Sequence, residues 1–239
     1  MMRSDTRDAE FETGCRSCSV RAVSVCSAIP NRDLSILARS RHQIQFSRRE
    51  TIVREGDPML SFFNITSGVV KLYRSLPDGR TQIIGFRYPG EFFAISAVSR
   101  HTSTAEAVTA VEVCRFPKSR LKRLMNSFPQ LQAQLLQMSY RHLAQSEDQI
   151  FLLGRKTARE KVADFLLRYS RDANQNQIGK SRYVNLPMTR TEVADFLGLT
   201  TETVSRVLTN LVRENIISVG LSRSVSLVDI ESLTRISGN

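Results

Sequence analysis

The 239-residue sequence has no uninterrupted apolar run long enough to span a bilayer, and its first residues, MMRSDTRDAEFET, lack the apolar core of a signal peptide. These absences predict a cytoplasmic chain with no membrane partner. Cysteine is scarce, at four residues, and a cytoplasmic location disfavours structural disulfides between them. The three histidines lack metal-ligand spacing, and neither a Ser-His-Asp pattern nor a pair of catalytic carboxylates stands out, so the sequence does not predict an enzyme.

Positive charge, by contrast, is abundant. Thirty-four Lys and Arg residues against 23 Asp and Glu give a formal net charge of +11. Such a balance favours a polyanionic partner such as nucleic acid. The charge is spread along the chain, with one dense run, RFPKSRLKR, at 115–123. We interpret that run as a solvated face, with contact to DNA backbone or RNA polymerase as the alternative, so composition permits DNA binding without locating it.

Residues 43–116 have the pattern of short antiparallel strands. Segments rich in β-branched and aromatic residues, such as VVKLYRS, TQIIGFRY and AVTAVEVCRF, alternate with turn signals such as Pro77-Asp78-Gly79. Regular spacing of this kind is typical of an antiparallel barrel or sandwich. The pattern does not by itself distinguish a specialised sensor from a generic β-domain.

A long helix is predicted over 129–153, where glycine is absent and Leu, Gln, Met and Ala dominate. Its apolar residues form two stripes, of which one can cover the β-domain while the other needs a second partner. A symmetric homodimer that pairs helix with helix satisfies this requirement, although an entirely intramolecular helix is the alternative. The seam is predicted to contain Leu131, Leu135, Met138, Gln145, Asp148, Gln149 and Leu152.

The most specific segment is MTRTEVADFLGLTTETVSRVLTNLVREN, at 188–215. Thr189 and Glu192 form a capping box, Gly198 ends the first helix, and Thr200 caps a second. An eight-residue helix, a glycine turn and a thirteen-residue helix match helix-turn-helix geometry, with a plain helical hairpin as the alternative. The segment NIISVGLSRSVSLVD that follows is interpreted as a two-stranded wing, which would make this a winged helix.

The outer face of the second helix carries side chains suited to reading bases. Glu202, Ser205 and Arg206 lie on one face near its N-terminus, where arginine can bond guanine and glutamate can accept from cytosine. A solvated Glu202–Arg206 ion pair is the alternative. The predicted DNA-binding residues are Thr200, Thr201, Glu202, Ser205, Arg206 and, as a phosphate contact in the wing, Arg223.

The order of these parts resembles the CRP/FNR family of bacterial transcription regulators, over roughly residues 14–235. The resemblance is carried by TRTEVADFLGLTTETVSRVLTNL, REGDP, SGVVKLYRSLPDGRTQIIGFRYPGE and CRFPKSRL. It implies an α+β fold: a cyclic-nucleotide-binding-like β-roll, a long dimerisation helix and a C-terminal winged helix-turn-helix. The domains predicted are a cysteine-bearing segment at 1–28, the β-roll at 29–127, the dimerisation helix at 128–154 and the DNA-binding domain at 155–239.

The family uses several signals, and the β-domain indicates which applies. A cyclic-nucleotide pocket needs Gly-Glu and then, about ten residues on, Arg-Ser to hold the phosphate. Gly90-Glu91 is present, but the matching pair is His101-Thr102 and the arginine stands one place off, at Arg100. Loss of a charge-assisted phosphate contact costs about 1.5–3 kcal/mol. A regulator that is gated by a cyclic nucleotide or another small molecule, and in which the cysteines hold no metal cluster, is therefore the second hypothesis.

The cysteines resemble those of the oxygen-sensing branch of the family. GCRSCSVRAVSVCS holds Cys15, Cys18 and Cys26, and Cys114 follows in VEVCRFP. The spacing alone leaves iron–sulfur and zinc equally open. With the resemblance, it implies a [4Fe-4S] cluster on these four cysteines, with zinc or no metal as the alternatives. The C-x2-C-x7-C spacing is similar to that of regulators from rhizobia and photosynthetic bacteria.

The resemblance also implies the partners and the response. They are double-stranded DNA, at a TTGAT-N4-ATCAA-like palindrome read by the Glu-Ser-Arg positions, RNA polymerase, and a second copy of the chain. The function it implies is activation of genes for anaerobic or microaerobic metabolism, with the cluster controlling dimerisation.

Overall fold

The computed structural model describes residues 14–94, 99–173, 183–220 and 224–238. It divides into two compact units. The first comprises the chain up to Arg74 together with Phe86–Ala144, and the second comprises Ser75–Gly85 and the chain from Gln145 onward. Within the described ranges, no helix is both long and apolar enough to cross a membrane.

Two antiparallel four-stranded sheets form the β-domain, in the orders β1-β8-β3-β6 and β2-β7-β4-β5. The strands are β1 His42–Phe46, β2 Thr51–Val53, β3 Ser61–Ser67, β4 Val70–Ser75, β5 Thr81–Arg87, β6 Phe92–Phe93, β7 Thr104–Ala107 and β8 Val111–Pro117. The predicted strand segments all fall on these elements. The segment predicted as one strand, AVTAVEVCRF, is divided between β7 and β8.

Alternating burial along the strands explains the sheet core. β8 points Val111 and Val113 into one apolar cluster, in which the stacked rings of Phe63 and Phe93 lie 5.1 Å apart. Phe116 points to the opposite face of β8, into the cluster that contains Phe92. Gly68 makes the turn between β3 and β4 at φ +83°, where a Cβ would lie 2.2 Å from the Ala110 carbonyl oxygen. Only glycine fits at this turn.

The N-terminal segment packs onto this domain. Three single 3-10 turns and helix α1, Leu34–Ser40, follow residues 14–16, which are helical. Ile29 and Leu34 are fully buried, and they share one apolar cluster with Phe92 and Phe116. The cysteine-bearing segment from residue 14 is therefore part of the domain core, where the sequence indicated a polar tail.

Two helices follow the sheets: α2, Lys118–Ser127, and α3, Pro129–Arg155. The predicted helix of 129–153 is confirmed and continues through Gly154. Leu131, Leu135 and Met138 on α3 are 8% exposed or less and belong to the same apolar cluster as Ile29.

The burial of Leu131, Leu135 and Met138 within one chain corrects their predicted place in the dimer seam. Because they are covered within one chain, they cannot meet a second copy. The opposite stripe is the exposed one, with Leu136 at 51%, Leu143 at 56% and Ile150 at 72%. The amphipathic pattern predicted two stripes but did not say which one the β-domain takes.

The remaining predicted seam residues differ in exposure, and for the exposed Gln145 and Asp148 the seam stays a prediction. Leu152 is fully buried, Gln149 donates from Nε2 to the Phe196 carbonyl at 2.7 Å, and Asp148 pairs with Arg168 at 3.1 Å. Gln145 is exposed but lies about 200° around the helix from Leu143, given 3.6 residues per turn.

The second unit is a helical domain with a small sheet of order β10-β11-β9. Its elements after α3 are α4 Ala158–Ala173, β9 Tyr183–Asn185, α5 Arg190–Leu197, α6 Thr201–Arg213, β10 Ile217–Val219, β11 Ser224–Leu227 and α7 Ile230–Ser237. Asp164 is fully buried and pairs with Lys156 at 3.1 Å and with Arg168 at 2.5 Å. Lys156 also donates to the Ser237 carbonyl at 2.7 Å, so this network joins α4 to α7 and to the chain just after α3.

Candidate metal centre and nucleic-acid interface

All four cysteines line one cavity of about 260 Å³ in the first unit. Cys15, Cys26 and Cys114 are buried and Cys18 is partly exposed. None forms a disulfide. The fold therefore brings the distant Cys114 to the three N-terminal cysteines, as the ligand prediction requires.

Each cysteine is placed by a different local element. Cys15 lies in the helical turn at 14–16, and Cys26 lies in the 3-10 turn Val25–Ala28, where its backbone amide donates to the Ser24 hydroxyl at 3.2 Å. Cys114 sits in the middle of β8, opposite Gln43 of β1 and Asn64 of β3. The rigid sheet thus supplies one sulfur, and the irregular N-terminal segment supplies the other three.

Burial controls the charge of these thiols. It raises the pKa of Cys26 to about 12, although the hydrogen bond with Ser24 opposes the shift. It raises the pKa of Cys114 to about 11 against the positive charge of Arg41. Both thiols are therefore neutral at physiological pH unless a bound cation displaces their protons.

Two polar side chains that no sequence pattern singles out face the same cavity. Arg41, 7% exposed, donates from Nε to the Cys15 sulfur at 3.1 Å and from Nη1 to Gln43 at 3.0 Å. Asn64 is 2% exposed, and its Oδ1 has no hydrogen-bond donor in the part of the chain that the structure describes.

The cysteine segment also contacts α3. The Ser27 hydroxyl donates to Gln134 of α3 at 3.2 Å, and Cys26 shares its apolar cluster with Leu135 and Met138. The 3-10 turn that carries Cys26 thus packs directly against α3, the helix whose Leu136, Leu143 and Ile150 are exposed.

The helix-turn-helix has the predicted geometry. The Thr189 hydroxyl accepts from the Glu192 amide at 3.1 Å and the Glu192 carboxylate accepts from the Thr189 amide at 2.7 Å, which completes the capping box of α5. Gly198 ends α5 at φ +62°, and the Thr200 hydroxyl accepts from the Thr203 amide at 3.2 Å to cap α6. Val204, Leu208 and Leu211 are the buried face of α6.

The opposite face of α6 is exposed and polar. Glu202, Ser205 and Arg206 all lie on it. Hydrogen bonds from its own backbone amide and the Thr200 hydroxyl, with the positive charge of Arg206, hold the pKa of Glu202 below its usual range. Glu202 is therefore an ionised acceptor beside a guanidinium donor, the pair of groups that base reading uses.

The remaining predicted DNA-binding residues have different positions. Thr201 is half-buried in the first turn of α6, and Thr200 is exposed. Arg223 lies outside the described residues. The sequence reasoning did not single out Thr209 and Arg213, which are exposed at positions i+7 and i+11 from Glu202 and so continue its face.

Side chains from two other segments hold the C-terminal carbonyls of α5. Gln149 donates to the Phe196 carbonyl, and Gln82 of β5 donates from Nε2 to the Asp195 carbonyl at 2.6 Å. The last carbonyls of a helix have no partner within the helix, so these glutamines serve as its C-terminal cap.

The Gly90-Glu91 turn is engaged within the first unit. The Glu91 carboxylate accepts from the Tyr88 amide at 2.7 Å and lies 3.4 Å from the His142 ring of α3. Burial raises the pKa of Glu91, but the His142 contact and the charge of Arg87 outweigh it and lower the pKa overall. Arg100 is exposed and donates to the Gly56 carbonyl at 2.6 Å.

Comparison with known proteins agrees with this architecture. A family profile described as Cyclic nucleotide-binding domain matches residues 43–128, and one described as Crp-like helix-turn-helix domain matches residues 160–236. The chain is 41% identical to the nitrogen fixation regulation protein FixK of Bradyrhizobium diazoefficiens over 90% of each chain. It is 37% identical to the transcriptional activatory protein AadR of Rhodopseudomonas palustris over 84% of each chain.

A solved structure is similar as well. FixK2 from Bradyrhizobium japonicum matches with a TM-score of 0.76 and 33% identity, over 82% of this chain and 96% of that one. The predicted fold class is confirmed, and so is the prediction of a DNA-binding regulator that is not an enzyme, because the relatives are named regulators and the helix-turn-helix profile matches.

Proposed function

Because the chain belongs to the CRP/FNR family of transcription regulators, we propose that it is a cytoplasmic, oxygen-responsive activator in which Cys15, Cys18, Cys26 and Cys114 hold a [4Fe-4S] cluster. The observation that carries the proposal is the single cavity lined by all four cysteines. The names of the relatives support the role of transcription regulator, and the cavity supports a cluster held by the four cysteines.

The number of thiols on this cavity fits a four-iron cluster, which takes one thiolate per iron. A tetrahedral zinc site would take the same four cysteines, so the metal content of the purified chain distinguishes the two. When bound, a [4Fe-4S] cluster would supply the sensitivity to oxygen.

The residues of the chain then transmit the state of the site. Cys15, Cys18 and Cys26 would hold the group together with the β8 sulfur of Cys114, which would order the turn that places Ser27 against Gln134. Loss of that order would remove this support from α3. Entry of oxygen is easiest beside Cys18, since it is the partly exposed cysteine while Cys15 and Cys26 are buried.

Dimerisation is the step that α3 controls. Leu136, Leu143 and Ile150 recur every seven residues and are more than half exposed, which is the spacing of a helix-to-helix seam. A second copy of the chain would bury this stripe and place two α6 helices about 34 Å apart, one turn of DNA. Glu202, Ser205 and Arg206 would then read the two halves of a TTGAT-N4-ATCAA-like palindrome, and RNA polymerase is the further partner.

The cyclic-nucleotide alternative has less support. Arg100, the nearest arginine to the phosphate-binding position, is exposed and bonded to Gly56, and Glu91 is engaged by Tyr88 and His142. A nucleotide would have to displace these contacts before it gained any.

The test is the metal content of the chain after anaerobic purification. We expect four irons and four sulfides per chain, the ratio of a [4Fe-4S] cluster, a brown colour that bleaches in air, and loss of both in Cys114→Ser. The matched control is Ser67→Ala, because Ser67 lines the same cavity without being a predicted ligand. A colourless protein that contains zinc, or that retains activity with cyclic AMP and Cys15→Ser, would refute the oxygen-sensor function.

A further inference from the structure

Arg41 has an unusual environment for an arginine. Arg41 is 7% exposed. Among the described residues, its hydrogen-bond acceptors are the Cys15 sulfur at 3.1 Å and the side-chain oxygen of the neutral Gln43 amide at 3.0 Å. No carboxylate in the described ranges forms an ion pair with it. A buried cation is costly unless a negative group faces it. Beside Gln43, the sulfur of Cys15 is the group bonded to Arg41, and Cys18, Cys114 and the Glu112 carboxylate line the same cavity.

Local geometry holds the guanidinium against the cysteine segment. A Cβ at Gly14 would lie 3.1 Å from the Nη2 atom of Arg41, so the glycine lets the backbone before Cys15 lie against the guanidinium plane. Gln43 fixes the other side of the fork, and Gln43 itself is paired with Cys114 across β1 and β8. Arg41 therefore touches the segment that carries Cys15 and a strand neighbour of Cys114.

We infer that Arg41 is a positioning residue of the four-cysteine site, which fixes the Cys15 sulfur through an N–H···S hydrogen bond and balances the negative charge of the metal-bound thiolates. The inference rests on the proposal that these cysteines hold a metal group. Hydrogen bonds to sulfur and net charge are two of the factors that set the potential of an iron–sulfur centre. Arginine suits the role because its planar fork can donate to Cys15 and Gln43 at once, which a lysine ammonium cannot do in the same geometry.

The experiment compares the full chain with Arg41→Met, Arg41→Lys and the control Arg48→Met, all purified without oxygen. Arg48 is an exposed arginine of the same unit that does not line the cavity. Iron, sulfide and zinc are counted, release of the bound metal to a chelator is timed, and the midpoint potential is measured where iron is present. Circular dichroism confirms that each variant folds.

We expect Arg41→Met to release metal about 10- to 100-fold faster, the usual effect of losing an outer partner of a metal ligand. Its potential should be more negative, because removal of a positive charge disfavours the gain of an electron. The release rate and the potential of Arg41→Lys should lie between those of Arg41→Met and the unaltered chain. Arg48→Met should match the unaltered chain in both. If Arg41→Met does not fold, the faster release and lowered potential of Arg41→Lys decide the question.

The outcomes separate the two proposals. Zinc in place of iron, with faster zinc release from Arg41→Met, would refute the cluster and support the role of Arg41. An iron–sulfur protein in which both Arg41 variants behave like Arg48→Met would support the cluster and overturn the role of Arg41. A chain that takes up neither metal would overturn both.

Discussion

Replacing Leu143 with alanine should weaken the proposed dimer while leaving the fold of each chain intact. Leu143 lies at the middle of the exposed stripe of α3, one heptad from both Leu136 and Ile150. Its side chain belongs to neither apolar cluster of the β-domain, so its truncation removes no packing from that core.

The exposed fraction of Leu143 gives the magnitude. Full burial of a leucine contributes about 1.5–3 kcal/mol, and Leu143 has 56% of its surface left to bury. Each chain would lose about 0.8–1.7 kcal/mol, and a symmetric dimer, which contains the residue twice, about 1.7–3.4 kcal/mol. At 1.4 kcal/mol per tenfold change, the dimer dissociation constant should rise roughly 15- to 300-fold.

Sedimentation equilibrium on the anaerobically purified chain measures that constant. The control is Gln145→Ala, two residues away, exposed, and about 200° around α3 from Leu143. We expect no change in dimer affinity for the control. An unaltered dimer in Leu143→Ala, or equal weakening in Gln145→Ala, would show that α3 pairs through another face or not at all.

Two further predictions concern the second unit. Arg206→Ala should weaken binding to the palindrome by about 1–3 kcal/mol and relax the choice of base at one position, as measured by fluorescence anisotropy on wild-type and substituted sites; an equal loss on every sequence would mean that Arg206 contacts only phosphate. Asp164→Ala leaves the Lys156 ammonium buried without its carboxylate, so the free energy of unfolding, from urea denaturation, should fall by about 3–5 kcal/mol, and a loss below 1 kcal/mol would contradict the burial of this network.

Local chemistry explains why the helix-turn-helix was predictable. The boundaries of α5 and α6 follow from Thr189, Glu192, Gly198 and Thr200, whose capping bonds and positive φ involve residues within four positions of each other. Hydrophobic period likewise predicted the strands and α3. One division was missed, between β7 and β8, because the connecting residues 108–110 include none of the Gly, Pro, Asn or Asp residues that signal a tight turn.

The predicted dimer seam shows what hydrophobic periodicity cannot decide. Leu131 and Leu143 are both leucines on amphipathic stripes of one helix, yet the first is 2% exposed and the second 56%. Which stripe meets the β-domain depends on the packing of α3 against Ile29, Phe92 and the cysteine segment, which are distant in sequence. The two stripes have the same hydrophobic periodicity in the sequence, so only the tertiary contacts distinguish the buried stripe from the exposed one.

The sequence by itself determined the class of regulator, the boundaries of the helix-turn-helix and the polar face of α6 that is predicted to contact DNA, because each depends on residue types at short spacing. The tertiary structure alone decided that Cys114 reaches the N-terminal three, that Arg41 lies against Cys15, and that Leu143 is free to pair. These are contacts between segments 26 to about 100 residues apart, and they are set by how the sheet, the 3-10 turns and α3 pack together.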